Sequence, residues 1–438
     1  MAGRRDGQGS IAVIGAGYVG LTTAACLAHM GHRVTCGDID EKRVAQLSKG
    51  DVPIFEKGLD EMVKEGISSS RLRFVVGASR AAKDAEYVFL CVPTPRMPDG
   101  MPDMSAISSV AHEIAPVLRS RTVVVNKSTV PVGSALMVER MIGRSDIKVV
   151  SNPEFLREGT AVSDFLHPDR IVIGSDDEQS AVRVSSLFSG VPAPIMITDA
   201  MTAETVKYVA NAFLATKISF ANSVAELCEM LGVEVKDVLL GIAYDHRIGF
   251  EYLSPGPGWG GSCLPKDTSA LLAFASESGY DMKLLAAATR ANEDHEVWIA
   301  RKALSMLGVS DDCRKDGLVV AVWGVSFKAG TDDTRDSPAL AFLTTLAEQG
   351  MTFRIFDPAL HNATGGLPEG TAVCGDPYSA CSGADLLCIM TEWEEFRWMD
   401  FSKVMDVMVT PKILDARNLL DPIVIRKLGF VYEGVGRR

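Results

Sequence analysis

Cys263 is placed for covalent chemistry. It follows Pro255-Gly256-Pro257-Gly258-Trp259-Gly260-Gly261-Ser262, with four glycines in the six residues from Gly256 to Gly261, and it precedes Leu264-Pro265-Lys266-Asp267. Such a loop offers bare backbone that can wrap a ligand. Pro265 suits the first turn of a helix, so Cys263 sits at or just before a helix N-terminus with Lys266 beside it. The positive end of the helix and the nearby ammonium both favour the thiolate, the nucleophilic form. Asp267 falls in the first turn, on the same side. Most cysteines are inert packing residues, and the other eight are read that way; Cys36, Cys91 and Cys388 lie in apolar, strand-like runs.

Two further pairs stand four residues apart. Glu154 and Glu158, in Asn152-Pro153-Glu154-Phe155-Leu156-Arg157-Glu158-Gly159, share one side if this stretch is a helical turn. Two carboxylates just beyond a parallel strand suit general-base work; an exposed, salt-bridged turn fits the spacing equally well. Lys207 and Asn211 fall in a long helical pattern. Apolar Val206, Tyr208 and Val209 around Lys207 allow an ammonium in a pocket, where it would stabilise an alkoxide, while a lysine reaching out to solvent is the ordinary alternative. In the last third, Lys328, Arg335 and Arg417 are candidate phosphate partners, or plain surface ion pairs. The seven histidines form no HxxxH or HExxH pattern, so no catalytic metal is indicated.

Near the start of the chain, Gly15-Ala16-Gly17-Tyr18-Val19-Gly20 follows an apolar run and opens a helical one. Gly15 permits a tight turn, Gly17 lets the backbone approach a pyrophosphate, and Gly20 allows close helix–strand packing. Asp38 lies 23 residues after Gly15, where a carboxylate accepts from both ribose hydroxyls and repels a 2′-phosphate. The cofactor expected is therefore NAD. Arg43 either reaches its adenosine side or is a solvated helix residue. A dinucleotide site, an activated thiol and a carboxylate base predict one chemistry: an alcohol becomes an aldehyde, the thiolate captures it, a second oxidation gives a thioester, and water releases an acid.

The elements that must position these groups are readable from pattern. Apolar runs at 11–15, 33–37, 71–76, 87–92, 122–126, 148–151, 170–174 and 194–198 read as strands covered on both faces, as in a parallel sheet. Residues 204–231 and 284–307 read as helices, the first about 40 Å long. Strand signals return at 318–323, 352–356, 385–390 and 412–414, with a helix at 339–349. The fold class expected is α/β, with two Rossmann-like domains (1–199 and 310–438) joined by a helical middle region (200–309) containing one long central helix. Residues 1–10 read as a loose tail and 310–317 as a polar break. Residues 11–30 carry no charge and follow Arg4 and Arg5, which resembles an export signal, but the three glycines argue against that. With 44 basic against 56 acidic residues the net charge is −12, a poor balance for nucleic acid. Nine scattered cysteines without a CxxC pair point to reduced thiols in the cytoplasm, with no membrane partner.

Seven ordered motifs resemble those of the UDP-glucose/GDP-mannose dehydrogenase family: GAGYVG, KSTVPVG (127–133), NPEFLREG (152–159), KYVANAF (207–213), GGSCLPKD (260–267), FKAGTDDTRDSP (327–338) and DARNLLD (415–421). The resemblance implies oxidation of UDP-glucose at C6 to UDP-glucuronate with two NAD+ per substrate, or the same chemistry on dTDP-glucose, GDP-mannose or UDP-N-acetylmannosamine. It implies Cys263 as nucleophile, Asp267 and Lys207 with a water in alcohol deprotonation, Asn211 as a further donor, and Glu154 as the activator of water held by Thr129. Gly15, Gly17, Tyr18, Val19, Gly20, Asp38, Arg43, Thr94, Ser128, Thr129, Glu158 and Arg335 would line the cofactor. Glu154, Phe155, Leu156, Arg157, Glu158, Lys207, Asn211, Ser254, Gly256, Gly258, Trp259, Gly260, Lys328 and Arg417 would line the sugar nucleotide. Arg247 would reach the substrate of a neighbouring subunit, in a homodimer built around the long helix or a larger assembly. Two positions depart from the family pattern: Trp259 replaces another aromatic, and Ala416 a glycine. The nearest rivals are a single-step β-hydroxyacid dehydrogenase, which has no use for Cys263, and a silent NAD sensor, against which Glu154, Lys207, Cys263 and Asp267 all stand.

Overall fold

A computed structural model describes residues 9–310, 317–360 and 365–437. The expected tail up to residue 8, most of the expected polar break (311–316) and Cys313 lie outside the described residues. The chain forms two compact units that divide between Ala210 and Asn211.

The first unit is built on eight strands: β1 (Ser10–Ile14), β2 (Arg33–Asp38), β3 (Leu72–Val76), β4 (Tyr87–Leu90), β5 (Val123–Asn126), β6 (Lys148–Ser151), β7 (Ile171–Gly174) and β8 (Ile195–Thr198). Their order is β3-β2-β1-β4-β5-β6-β7-β8. Alternate residues go to opposite faces and both faces are covered: Ile11, Val13, Val123 and Val125 enter one core, and Ala12, Ile14, Val124 and Val149 the other. That explains runs that are apolar throughout rather than alternating. One pairing breaks the parallel pattern, since β6 meets β7 antiparallel through Ser151 and Gly174. β8 is an edge, with Ile195, Met196 and Ile197 exposed. The signal-like run 11–30 forms β1, the glycine turn and the helix Tyr18–His29. No helix among the described residues is long and apolar enough to cross a membrane.

The helix Ala200–Leu231 runs 32 residues without a break, about 48 Å at 1.5 Å per residue. Its buried line is made largely of small residues, including Ala203, Ala212, Ala215, Ala221 and Ala225, whereas Val209, Phe213 and Phe220 are exposed. It begins close over the end of β7: a Cβ at Gly174 would lie 2.4 Å from the Ala203 Cβ and 2.6 Å from the Asp199 carbonyl oxygen.

In the second unit the helices Val235–Ala243, Leu264–Glu277 and Lys283–Leu307 precede a parallel sheet. Its strands are β9 (Val319–Trp323), β10 (Thr352–Phe356), β11 (Ala372–Val373), β12 (Leu386–Ile389), β13 (Lys412–Asp415) and β14 (Val431–Gly434). The order is β11-β10-β9-β12-β13-β14, again with alternate residues in two cores. The sequence pattern missed β11 and β14. Both are edge strands, one two residues long and the other with Val431 exposed, so neither carries a continuous apolar run. The buried cysteines are Cys26, Cys36, Cys91, Cys228, Cys381 and Cys388. Of the seven described cysteines expected to pack, one differs: Cys374 is partly exposed, while Cys91 is buried although it falls one residue past β4.

Gly15 has φ +97°, and a Cβ on Gly20 would stand 1.8 Å from the Gly15 carbonyl oxygen. Gly20→Ala therefore forces the glycine turn away from the helix. The expected loss is about 3 kcal/mol of stability together with NAD affinity, read by urea unfolding and by titration with the cofactor.

Candidate active site

In the first unit the glycine turn lies where the strand order changes direction, between β1 and β4, the usual crevice of such sheets. The Gly15 amide donates to the Gly37 carbonyl at 2.7 Å, and the Ala16 amide donates to Asp38 at 2.6 Å. The other Asp38 oxygen accepts from the Asp40 amide at 2.9 Å. Each oxygen keeps a lone pair for a ribose hydroxyl. Arg43 stands 3.6 Å from this carboxylate. A Cβ at Gly17 would meet nothing within 4 Å, so the backbone there faces open space. Thr94 donates to the Thr129 carbonyl at 2.8 Å and Ser128 to the Val92 carbonyl at 2.6 Å, locking together the loops after β4 and β5. Val19 packs on the core. These residues fit a dinucleotide.

Just beyond β6, the stretch 152–157 is irregular rather than a helical turn, which corrects the expected pairing of Glu154 with Glu158. Pro153 and an internal bond set its course: Glu154 turns back to accept from the Leu156 amide at 2.6 Å. Lys207 is 3% exposed and donates to Glu154 at 3.0 Å. The solvent-reaching alternative for this lysine is thereby excluded. Burial pushes the Glu154 carboxyl up, but the Lys207 ammonium, the hydrogen bonds from it and from Leu156, and Lys127 outweigh that and hold it below the usual carboxylate range. The result is a charged carboxylate in a dry setting, suited to taking a proton from water. Lys127 is buried, donates to Asn152 at 3.1 Å, and is pushed down to about 8, first by burial and against the pull of Glu154. A small cavity is lined by Asn126, Ser128, Thr129, Ser151, Glu204 and Lys207. Glu204 accepts there from the Gly133 and Ala135 amides and the Ser151 hydroxyl at 2.6, 3.0 and 2.8 Å.

In the second unit Cys263 occupies the N-cap position of the helix Leu264–Glu277, partly exposed, with its sulfur 3.6 Å from the Ser262 hydroxyl. Asp267 is fully buried; it accepts from Asn211 at 2.6 Å and from Lys266 at 2.6 Å. The glycine loop ahead of Cys263 is held by side chains acting on its backbone. Asn222 accepts from the Gly256 amide at 2.9 Å, and His295 bonds the Gly256 carbonyl at 2.8 Å. Asn292 accepts from the Trp259 amide at 2.8 Å and donates to the Trp259 carbonyl at 3.2 Å. It also donates to Glu296, a carboxyl that burial raises to about 7 against that bond. The Trp259 indole is itself buried and donates to Ser219 at 2.9 Å. Arg417 reaches this loop, since a Cβ at Gly256 would lie 3.1 Å from its guanidinium. The Gly261 amide donates to the Arg335 carbonyl at 3.1 Å.

Other expected site residues lie further out. Arg157, Arg247 and Arg335 are exposed and paired with Asp164, Asp245 and Asp333. Phe155 lies under the Arg170 guanidinium, 3.6 Å from its centroid, and Leu156 packs on the core. Lys328 stands over the Phe327 ring, and Ser254 is exposed. Among the described residues no group of three or more His, Cys, Asp and Glu could hold a metal ion. Lys127, Glu204, Asn292 and His295 escaped the sequence reading. Only Lys127, inside a quoted motif, carried a signal.

Three family models cover the chain in order: the UDP-glucose/GDP-mannose dehydrogenase family NAD binding domain (9–191), central domain (201–294) and UDP binding domain (321–422). The chain belongs to this family. A UDP-glucose 6-dehydrogenase of Pseudomonas aeruginosa is 42% identical, over 98% of this chain and 97% of that one. Among solved structures, a UDP-glucose dehydrogenase from Pyrobaculum islandicum matches with TM-score 0.90 and 34% identity over all of both chains. A UDP-D-ManNAc dehydrogenase from Pyrococcus horikoshii matches with TM-score 0.83 and 30% identity over 98% and 99%. As a UDP-glucose/GDP-mannose dehydrogenase family member the protein is an NAD-dependent nucleotide-sugar dehydrogenase.

Lys127 titrates lower in the fold than in the unfolded chain, so its protonated form opposes folding at low pH, and that opposition fades as pH rises from about 8 towards 10.5. Relative to Lys127→Met, the wild-type chain should gain about 2 kcal/mol between pH 7.5 and 9.5. Urea unfolding of both at the two pH values checks this.

Proposed function

We propose that this enzyme oxidises C6 of UDP-glucose to the carboxylate, giving UDP-glucuronate. The observation that carries the reading is Cys263 at the helix start with buried Asp267 four residues on, held between Asn211 and Lys266. Lys207 and Asn211 are one turn apart on a single helix, and we take the Glu154 cluster and the Cys263 cluster to act on one substrate. NAD, when bound, takes up each pair of electrons removed from carbon, so two are used per substrate.

Asp267, through a water, takes the proton of the C6 hydroxyl as it becomes an aldehyde, while the Lys207 ammonium stabilises the developing alkoxide. The Cys263 thiolate adds to the aldehyde carbon; Lys207 and Asn211 stabilise the oxyanion of the thiohemiacetal. Its oxidation leaves a thioester on Cys263. Glu154 takes a proton from water held by Thr129, the hydroxide adds to the thioester, and the carbon–sulfur bond breaks to return the thiolate and release the acid. The dry ion pair keeps Glu154 ionised for that step. The nucleotide is held by the loop from Ser254 to Gly260, Leu156, Arg157, Lys328 and Arg417, and the nicotinamide end by Glu158. The chain works as a homodimer through the exposed Val209, Phe213 and Phe220 face of the long helix, with Arg247 reaching the second copy's substrate. The eight described cysteines are thiols, which suits the cytoplasm.

Incubation with UDP-glucose, dTDP-glucose, GDP-mannose and UDP-N-acetylmannosamine should give two NADH per mole with UDP-glucose and the highest kcat/KM; a ratio of one excludes the thioester route. Cys263→Ser should lower steady-state turnover by about a hundredfold or more. Glu154→Gln should slow hydrolysis so that mass spectrometry finds the acyl adduct on Cys263, and a bare thiol during slow turnover counts against this role.

A further inference from the structure

Glu56 lies between the helices Glu41–Ser48 and Leu59–Ser68, with no place in the mechanism above and no motif to mark it. It is 7% exposed. A carboxylate so placed needs donors, and three segments supply them. One oxygen accepts from the Tyr18 hydroxyl and from the Gly159 amide at 2.7 Å. The Gly159 amide is shared, lying 2.8 Å from the Tyr18 hydroxyl as well. The other oxygen accepts from the Val162 amide at 3.4 Å.

Two of these partners, Tyr18 and Gly159, belong to functional segments. Tyr18 follows Gly17 in the glycine turn, where the backbone faces open space. Gly159 ends the loop that starts at Asn152, and its φ of +83° makes it the bend that returns the chain toward Glu56. Within that loop Leu156 is fixed to the core and its amide holds Glu154. Glu154 therefore sits on a short span pinned at Leu156 and again at Gly159. Burial and the Glu56 carboxylate both push the Tyr18 phenol far above its ordinary range, so the hydroxyl keeps its proton and donates.

We propose that Glu56 is a positioning residue that joins the pyrophosphate-binding turn to the loop bearing Glu154, so that each holds the other in place. Cofactor binding at the turn then steadies the loop. The cofactor arm of this inference rests only on the NAD binding domain; the turnover arm also rests on the role proposed for Glu154.

The test uses the full chain as wild type, Tyr18→Phe, Glu56→Leu, Glu56→Gln and the double variant Tyr18→Phe with Glu56→Leu. Calorimetric titration with NAD+ gives Kd, and turnover of UDP-glucose gives kcat and KM separately. Tyr18→Phe and Glu56→Leu should each raise the Kd for NAD+ about fivefold and lower kcat, with the KM for UDP-glucose within twofold. Glu56→Gln, which keeps an acceptor, should recover most of the affinity. The double variant should bind NAD+ no worse than Glu56→Leu within twofold, because both remove one linkage. Unchanged Kd in the single variants, or effects that multiply in the double one, overturns the proposal even if thermal stability falls. Tyr18→Phe, which removes one oxygen from a partly exposed ring, decides the matter if Glu56→Leu does not fold. Wild type that binds NAD+ but does not oxidise UDP-glucose sinks the substrate reading and leaves the Kd comparison intact.

Discussion

The first unit depends on one buried ion pair. Lys207 and Glu154 are 3% and 5% exposed, and either alone at that depth would surrender its charge. Their contact, the Leu156 amide and nearby Lys127 keep the carboxylate ionised. Such a pair adds little net stability, because desolvating two ions offsets their attraction. What it provides is a carboxylate that is charged and shielded from bulk water. It also fixes the first turns of the long helix against the carboxyl edge of the sheet, and Glu204, three residues earlier, secures the same turns to the Gly133–Ala135 amides.

The second unit solves a different problem. A loop this rich in glycine cannot rely on its own side chains for order, and its four glycines give it no stiffness. Rigidity comes from outside: Asn222, Asn292 and His295, all on long helices, bind the peptide groups of Gly256 and Trp259. The Trp259 side chain is spent on packing and on Ser219, leaving its peptide to define the loop's course. Cys263 then inherits a fixed position from the helix it begins.

Much of this was legible before any coordinates. The double coverage of both sheets shows as unbroken Val and Ile runs, and every expected strand lies within about two residues of its observed limits, because such runs have no other stable use. Gly15, Gly20 and Asp38 were readable because backbone geometry restricts what can stand there. The path of 154–158 was not legible. Spacing suggested a turn of helix, but Pro153 and the Glu154–Leu156 contact impose an irregular path. Whether Lys207 faced solvent or a pocket depended on Glu154, 53 residues away, and no local pattern encodes a partner at that distance. Asn292, His295 and Glu56 escaped for the same reason: they look like ordinary helix or loop residues until the peptide groups they serve are known.

Gly174, at the end of β7, touches no ligand, yet it sets the origin from which the long helix is measured. With Ala203 and Asp199 already inside the space of a single methyl group, the helix can lie this low only over bare backbone. Any larger residue would lift the opening turn off the strand and carry Glu204 and Lys207 with it, out of reach of the groups that neutralise them. Drift at this position is therefore barred by the placement of a charge about nine helical turns' worth of sequence downstream of it, not by the needs of the strand in which it sits.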